Sequence, residues 1–328
     1  YHVVSRVVDR RLVFGDVEKE HFREVLERQL RFSGLHCLAW CIMGNHFHLL
    51  LEVPDKDKAL ARMDKEALFG RLKVLSSEVY TRRLLANLAM WREKGAQEPV
   101  DKAAEAIRAR LFDLSRFMQE LKSKFTMWYN RRHGRKGTLW EERFKSVLVE
   151  GRGGRTREGL GGLFAVAAYI DLNPVRAGLC DDPKDYLWCG YAAAVAGDAS
   201  SRAGLGRCVA DDQSAPWRRV ARSYRTIFFG LGAETPSAPE GRPKRRRGFS
   251  QAQIDRVLSE GGSIPTPELL RCRVRYFTEG IALGGRAFVE EFLGRRESQR
   301  GDPHPAGADW GELGVAGRLR GKPIEAPG

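Results

Sequence analysis

Hydrophobic and polar positions recur at a readable period over the first half of the chain. Residues 1–8, YHVVSRVV, are rich in β-branched side chains and predict a strand. In the following GDVEKEHFREVLERQLRFSG, Phe22, Val25, Leu26 and Leu30 recur at helical spacing, and Gly34 sits where a C-cap belongs. HCLAWCIM (36–43) reads as a strand, GN as a tight turn and HFHLLLEV (46–53) as the returning strand of a hairpin. The opening order β-α-β-β predicts an antiparallel α+β sandwich. Residues 55–115 are charged, rich in Ala and Leu and nearly free of Gly and Pro, which predicts a helical insertion between core elements. LSRFMQELKSKFTMWYNRRHG (114–134) is a further amphipathic helix, WEERFKSVLVE (140–150) a strand and GRGGRTREG (151–159) a flexible basic loop. LGGLFAVAAYIDLNPVRAG (160–178) begins as an apolar helix that Pro174 stops.

Beyond about 195 the periodicity weakens. Residues 1–195 are therefore expected to form the main domain and 196–248 a basic linker region ending in RPKRRRG (242–248). SQAQIDRVL and GRAFVEEFL predict a small, mainly helical C-terminal domain over 249–300, with a disordered tail over 301–328.

Two histidines interrupt the apolar run HFHLLLEV. Strand residues i and i+2 share a face, so His46 and His48 point together and can converge on one cation, while Phe47 and Leu49 face the other way. The residues leave other readings open. The pair can be solvated on an exposed face. It can join Cys37 and Cys41 around a structural zinc. It can also belong to a phosphodiester-cutting site, which needs a nucleophile, a third ligand and a basic surface.

Charge supplies that surface. The formal net charge is +14 over 328 residues, which speaks to partners rather than fold, and nucleic acid is the expected partner. No run approaches the roughly 18 apolar residues of a spanning helix, so no membrane partner is expected. No secretory leader pattern is read at the start. Six cysteines at irregular spacing predict reduced thiols of a cytoplasmic chain rather than a disulfide framework. Between 116 and 145 nine Lys and Arg stand against Glu120, Glu141 and Glu142, with Phe125, Trp128, Tyr129 and Trp140 interleaved. Cations that track phosphates and aromatics that stack on bases make Lys122, Lys124, Arg131, Arg132, Arg135, Lys136, Trp140, Arg143 and Lys145 the candidate DNA contacts.

The motifs CIMGNHFHLLLEVP, GTLWEERFKSVLVE and AAYIDLNPVRAGL, in this order, resemble the HUH-type single-tyrosine transposases, in particular the REP-associated tyrosine transposases. The resemblance spans about residues 1–195. It implies the HUH nuclease fold, a ferredoxin-like antiparallel sheet with helices on one face. It implies metal-dependent nicking and joining of single-stranded DNA near hairpins, such as repetitive extragenic palindromes, through a 5′-phosphotyrosine intermediate. His46 and His48 would be two ligands of a Mg²⁺ or Mn²⁺ cofactor. Tyr169 would be the nucleophile, and Asn173, four residues later, the third ligand. Tyr129 is the second-ranked tyrosine; Asn130 adjoins it, but no ligand stands at the matching spacing. The same resemblance implies a bacterial protein that meets the nucleoid when bound to DNA, as a monomer or a homodimer. A non-cleaving DNA-binding regulator of the same fold is the alternative function, and a zinc-stabilised RNA-binding protein the third.

Overall fold

A computed structural model describes residues 1–75, 78–151, 155–156, 159–229, 276–300, 307–309 and 314–316. The chain is α+β and divides into two units. The first comprises residues 1–6, 37–51 and 144–328, the second 7–36 and 52–143.

The first unit is built on strands β1 (His2–Arg6), β2 (His36–Ile42), β3 (His46–Glu52) and β4 (Lys145–Val149). They lie in the order β2-β3-β1-β4, with β1 antiparallel to both its neighbours. This is the order expected of a ferredoxin-like sheet. The sheet does not stop at β4. Residues Ala282–Gly284 add a parallel strand on its outer edge, and Gly314–Ala316 and Gly307–Asp309 extend it further. The expected ferredoxin-like core, with β1 antiparallel to both its neighbours, is present, and the parallel strand added at β4 makes the whole sheet mixed. An uncovered β4 would present a row of unpaired amides and carbonyls. The covering strand is only three residues long, too short to show an alternating pattern.

Helix α7 (Gly162–Asp171) is buried at all ten positions, as a helix apolar on every side must be. It packs against β4 on one side and against α10 (Ala199–Ala210) and α11 (Trp217–Phe229) on the other. Leu38, Leu50, Val147, Phe164, Leu205 and Tyr224 belong to one buried cluster there. Helices thus occupy residues 199–210 and 217–229, which corrects the linker expected from 196. The Ala- and Gly-rich sequence of α10 packs closely and carries little amphipathic signal, whereas α11, WRRVARSYRTIFF, is amphipathic. Likewise, Tyr276–Glu279 and Arg286–Arg300 are helices flanking the Ala282–Gly284 strand. The C-terminal region is thus tied into the sheet rather than separate, and its last strands fall within the stretch expected to be a disordered tail. RPKRRRG and SQAQIDRVL lie outside the described residues, as does most of GRGGRTREG, of which Arg155–Thr156 pairs with Gly159–Leu160.

Two local boundaries moved. The strand expected over 140–150 is confined to β4, and Trp140 makes only an isolated bridge to Val7. The α7 helix breaks at Leu172 rather than at Pro174, and a short turn of helix, α8 (Asn173–Arg176), follows at once. Pro174 sits in the first turn of α8, where its missing N–H costs nothing.

The second unit is helical. It contains α1 (Asp16–Ser33), α2 (Lys56–Ala61), α3 (Lys65–Arg71), α4 (Glu78–Glu93), α5 (Gln97–Arg108) and α6 (Leu114–Arg132). Helix α1 packs along α6 and ends at Gly34, whose φ of 78° and N–H bond to the Leu30 carbonyl are the expected C-cap. A separate apolar cluster unites Phe32 with Leu68, Phe69, Leu88, Val100 and Ile107.

Two glycines in helices should respond oppositely to alanine. A Cβ on Gly204 would lie 2.7 Å from the Leu38 carbonyl oxygen and 2.9 Å from that of Cys37. Gly204→Ala should therefore lower stability by about 1–3 kcal/mol despite the better helix propensity. Gly70 has open space where its Cβ would stand. Gly70→Ala should raise stability by about 0.5–1 kcal/mol. Thermal unfolding of the two variants checks the sign of each.

Candidate active site

Strand β1 sets the site. Its register pairs Val4 with His48 and Arg6 with His46 on one side, and Val4 with Lys145 on the other. Directly paired residues present their side chains on the same face. His2, Arg6, His46, His48 and Lys145 therefore share one face of the sheet. Phe47, Leu49 and Leu51 take the opposite face and are buried, as the alternation predicted.

His2 was not singled out by sequence reasoning, yet it is wholly buried beside His48. Its Nδ1 lies 2.5 Å from the Phe277 carbonyl oxygen, and its Nε2 lies 2.9 Å from His48 Nδ1. Burial lowers the His2 pKa to about 3, although the Phe277 carbonyl acts the other way. Burial likewise holds His48 well below the usual histidine range, helped by His46, His2, Arg176 and Arg6. Both rings are neutral at physiological pH. On the other ligand candidate, His46 Nδ1 lies 2.7 Å from Asn45 Oδ1. The His46 and His48 rings are 5.1 Å apart and nearly perpendicular.

Tyr169 stands near the C-terminal end of α7, only 2% exposed. Its ring meets His48 edge-on at 6.3 Å and His2 at 6.1 Å. Phe277 stacks on it at 4.4 Å, almost parallel. The Arg176 guanidinium lies 4.0 Å from the ring centroid, and its Nη2 donates to the Tyr169 carbonyl at 2.6 Å. Arg176 follows Tyr169 by seven residues, two helical turns, a spacing visible in YIDLNPVR. Phe277 had no local signal, since it comes from a segment more than a hundred residues away.

Asn173 opens α8 just beyond the Leu172 break. Its Nδ2 is buried with no hydrogen-bond partner. Turning the amide by 180° puts Oδ1 in that position, and an acceptor awaiting a donor or a cation suits it. By their chemistry, the imidazoles of His46 and His48 and the amide oxygen of Asn173 would suit a divalent cation that keeps open positions. Mn²⁺ accepts imidazole more readily than Mg²⁺ does. The zinc alternative finds no support. The Cys37 thiol is pushed up to about 12 by burial, and Cys41 Sγ faces Met43 Sδ at 3.6 Å. Among the described residues no group of three or more His, Cys, Asp or Glu side chains is arranged to hold a metal, so Cys37 and Cys41 do not form such a group with the histidine pair.

Of the candidate DNA contacts, Lys145 joins the histidine face, and the other eight belong to the second unit. There Arg131, Arg132, Lys136 and Arg143 are exposed, and Arg135 is half-buried. Trp128 stacks on His21 at 3.9 Å with the Arg132 guanidinium 5.8 Å from its ring. Tyr129, also in that unit, stacks on His133. Lys124 is half-buried and donates to Gln29. Lys122 and Trp140 require correction. Lys122 is buried, donates to the carbonyls of Glu142 and Arg143 and lies 5.1 Å from the Trp140 ring. Trp140 is buried too, and its indole N–H donates to Thr126 Oγ1. Both hold the 140–143 segment onto α6 and present nothing to DNA. Interleaved sequence cannot distinguish a buried from an exposed cation.

Residues 1–94 match the model of the family described as Transposase IS200 like. The matched segment contains His2, His46 and His48 and runs through the whole of α4; Tyr169 and Asn173 lie beyond it. No curated protein and no solved structure matches the chain. No helix among the described residues is long and apolar enough to cross a membrane.

The buried Lys122 should leave a signature in the pH dependence of stability. Burial lowers its pKa to about 8 from an unfolded value of 10.5. Between those limits the unfolded chain binds more protons, so stability rises with pH there and is flat below 8 for this group. Lys122→Met should unfold at a lower temperature, having left two carbonyls without their donor, and its deficit should widen from pH 8 to 10. Thermal melts of both proteins across that range measure it.

Proposed function

With its first 94 residues assigned to the IS200-like transposases, we propose that this chain nicks and rejoins single-stranded DNA near hairpins, using Tyr169 as the nucleophile. The observation that carries this reading is the placement of the Tyr169 ring against His48 and under Arg176. His46, His48 and Asn173 would hold Mg²⁺ or Mn²⁺. When bound, the ion supplies Lewis-acid polarisation of the scissile phosphate. The phenolic oxygen attacks phosphorus in line as its proton departs. The bond from phosphorus to the 3′ oxygen breaks, and that oxygen takes up a proton. The products are a 5′-phosphotyrosine and a free 3′-hydroxyl. The ester bond is conserved, so a later 3′-hydroxyl can reverse the step and join strands.

The Arg176 guanidinium over the Tyr169 ring would favour the negative charge that develops as the phenol loses its proton. Arg6 and Lys145 bring further positive charge to the histidine face, where an anionic strand must approach. Arg131, Arg132, Lys136 and the Trp128–His21 stack suit phosphate tracking and base stacking. Tyr169 is nearly inaccessible under Phe277, so DNA would have to displace Phe277 for the tyrosine to act. The same burial favours, as a second reading, a DNA-binding regulator that does not cut.

Incubation with labelled, hairpin-tailed single-stranded DNA in Mn²⁺, followed by a denaturing gel, separates the readings. Wild type should give a covalent adduct that EDTA prevents. Tyr169→Phe and His48→Ala should each drop it to background, whereas Tyr129→Phe should retain it. Wild type without adduct in any divalent metal leaves the regulator. Replacing Arg131, Arg132 and Lys136 together by Gln should weaken DNA binding and reduce the slope of log affinity against log salt by about 2. An unchanged slope would move the DNA path elsewhere.

A further inference from the structure

The reaction above gives no task to His2. We propose that His2, gripped by the backbone carbonyl of Phe277, is a positioning residue that fixes the tautomer of His48 and thereby presents the Nε2 lone pair of His48 as a metal ligand. The proposal rests on reading His48 as a ligand.

The direction of the hydrogen-bond chain follows from its end. A carbonyl oxygen only accepts, so His2 Nδ1, 2.5 Å away, must carry a proton. His2 is fully buried, and among the described residues no carboxylate is bonded to it, so its ring is neutral. Its Nε2 is then an acceptor. His48 Nδ1, 2.9 Å away, must donate to it. Nothing remains on His48 Nε2 but the lone pair. The reverse direction would put two acceptors, a carbonyl oxygen and an imidazole nitrogen, face to face at 2.5 Å. Each link is thus set by the one before it. A metal-bound histidine commonly donates its second ring nitrogen to such a partner, which fixes the ring and raises its basicity. What is unusual is that the partner is itself a histidine, polarised in turn by a carbonyl from the far end of the chain.

A packing role alone does not account for the geometry. The His2 ring stacks on His48 at 5.2 Å, which Phe or Leu would also do. An apolar ring would leave a buried N–H of His48 without an acceptor, and the imidazole could then turn over its proton to Nε2 and lose the ligand.

The test uses metal-free protein with ¹⁵N-labelled histidine and a long-range ¹H–¹⁵N correlation spectrum, together with Mn²⁺ titration followed by electron paramagnetic resonance. Wild type should show His48 with its proton on Nδ1. His2→Phe should show His48 in mixed tautomers and bind Mn²⁺ about 10–100-fold more weakly. His2→Gln, whose Oε1 can accept from His48, should recover most of that affinity. Wild-type His48 protonated on Nε2 would overturn the proposal, and this holds even if His2→Phe does not fold. So would a folded His2→Phe that binds Mn²⁺ within twofold of wild type, or a folded His2→Gln no better than His2→Phe. Wild type that binds Mn²⁺ but forms no DNA adduct sinks the catalytic reading and leaves the relay standing. Wild type that binds no Mn²⁺ removes the ligand role and the proposal with it.

Discussion

The register of β1 against β3 is the constraint on which the site depends. Val4 opposite His48 and Arg6 opposite His46 put three histidines and two cations on one face of the sheet. Side-chain direction alternates along a strand, so a slip of one residue would send His2 to the opposite face from His48. Burial pins the register from both sides. Val3, Phe47 and Leu49 are fully buried on one face, and His2 and Leu50 on the other, so no slipped pairing satisfies both.

The face that results is chemically demanding. His2 and His48 are taken out of water, which would cost several kcal/mol if either were charged or left unbonded. Their hydrogen-bond chain removes that difficulty by keeping both neutral and spending every nitrogen but one. Arg176 and Arg6 keep the surroundings electropositive, which disfavours imidazolium further. With His48 as a proposed ligand, a site arranged this way would be ready for a cation at ordinary pH without waiting for deprotonation. Neutral ligands would also leave the charge of a bound cation to act on phosphate.

Much of this was legible before the structure. The hairpin, the shared face of His46 and His48, the helix bearing Tyr169 and the Gly34 cap all follow from periodicity and local chemistry. His2 was passed over because a lone histidine at the start of a strand has no partner within reach in sequence. Phe277 was invisible because its contribution is a backbone carbonyl and a ring face, and neither depends on a motif. Lys122 was misread because charge density over 116–145 does not reveal which cations turn inward. The region after 195 was underestimated for a related reason. Helix α10 meets β2 through Gly204, and a close approach built on an absent side chain leaves no apolar stripe to detect.

The bond between His2 and Phe277 joins positions 275 residues apart. A ribosome makes a chain from its N-terminus, so the histidine strands, Tyr169 and Arg176 all emerge before the segment that completes the relay. Domains commonly begin folding during synthesis. Yet the final link of this site waits for residue 277 to clear the exit tunnel. A nascent chain, or one cut short by a premature stop before that point, would carry the histidine pair and the tyrosine without the carbonyl that orients them. Under the proposed function, the complete site would exist only once synthesis has passed residue 277, so shorter nascent chains would lack an oriented His48.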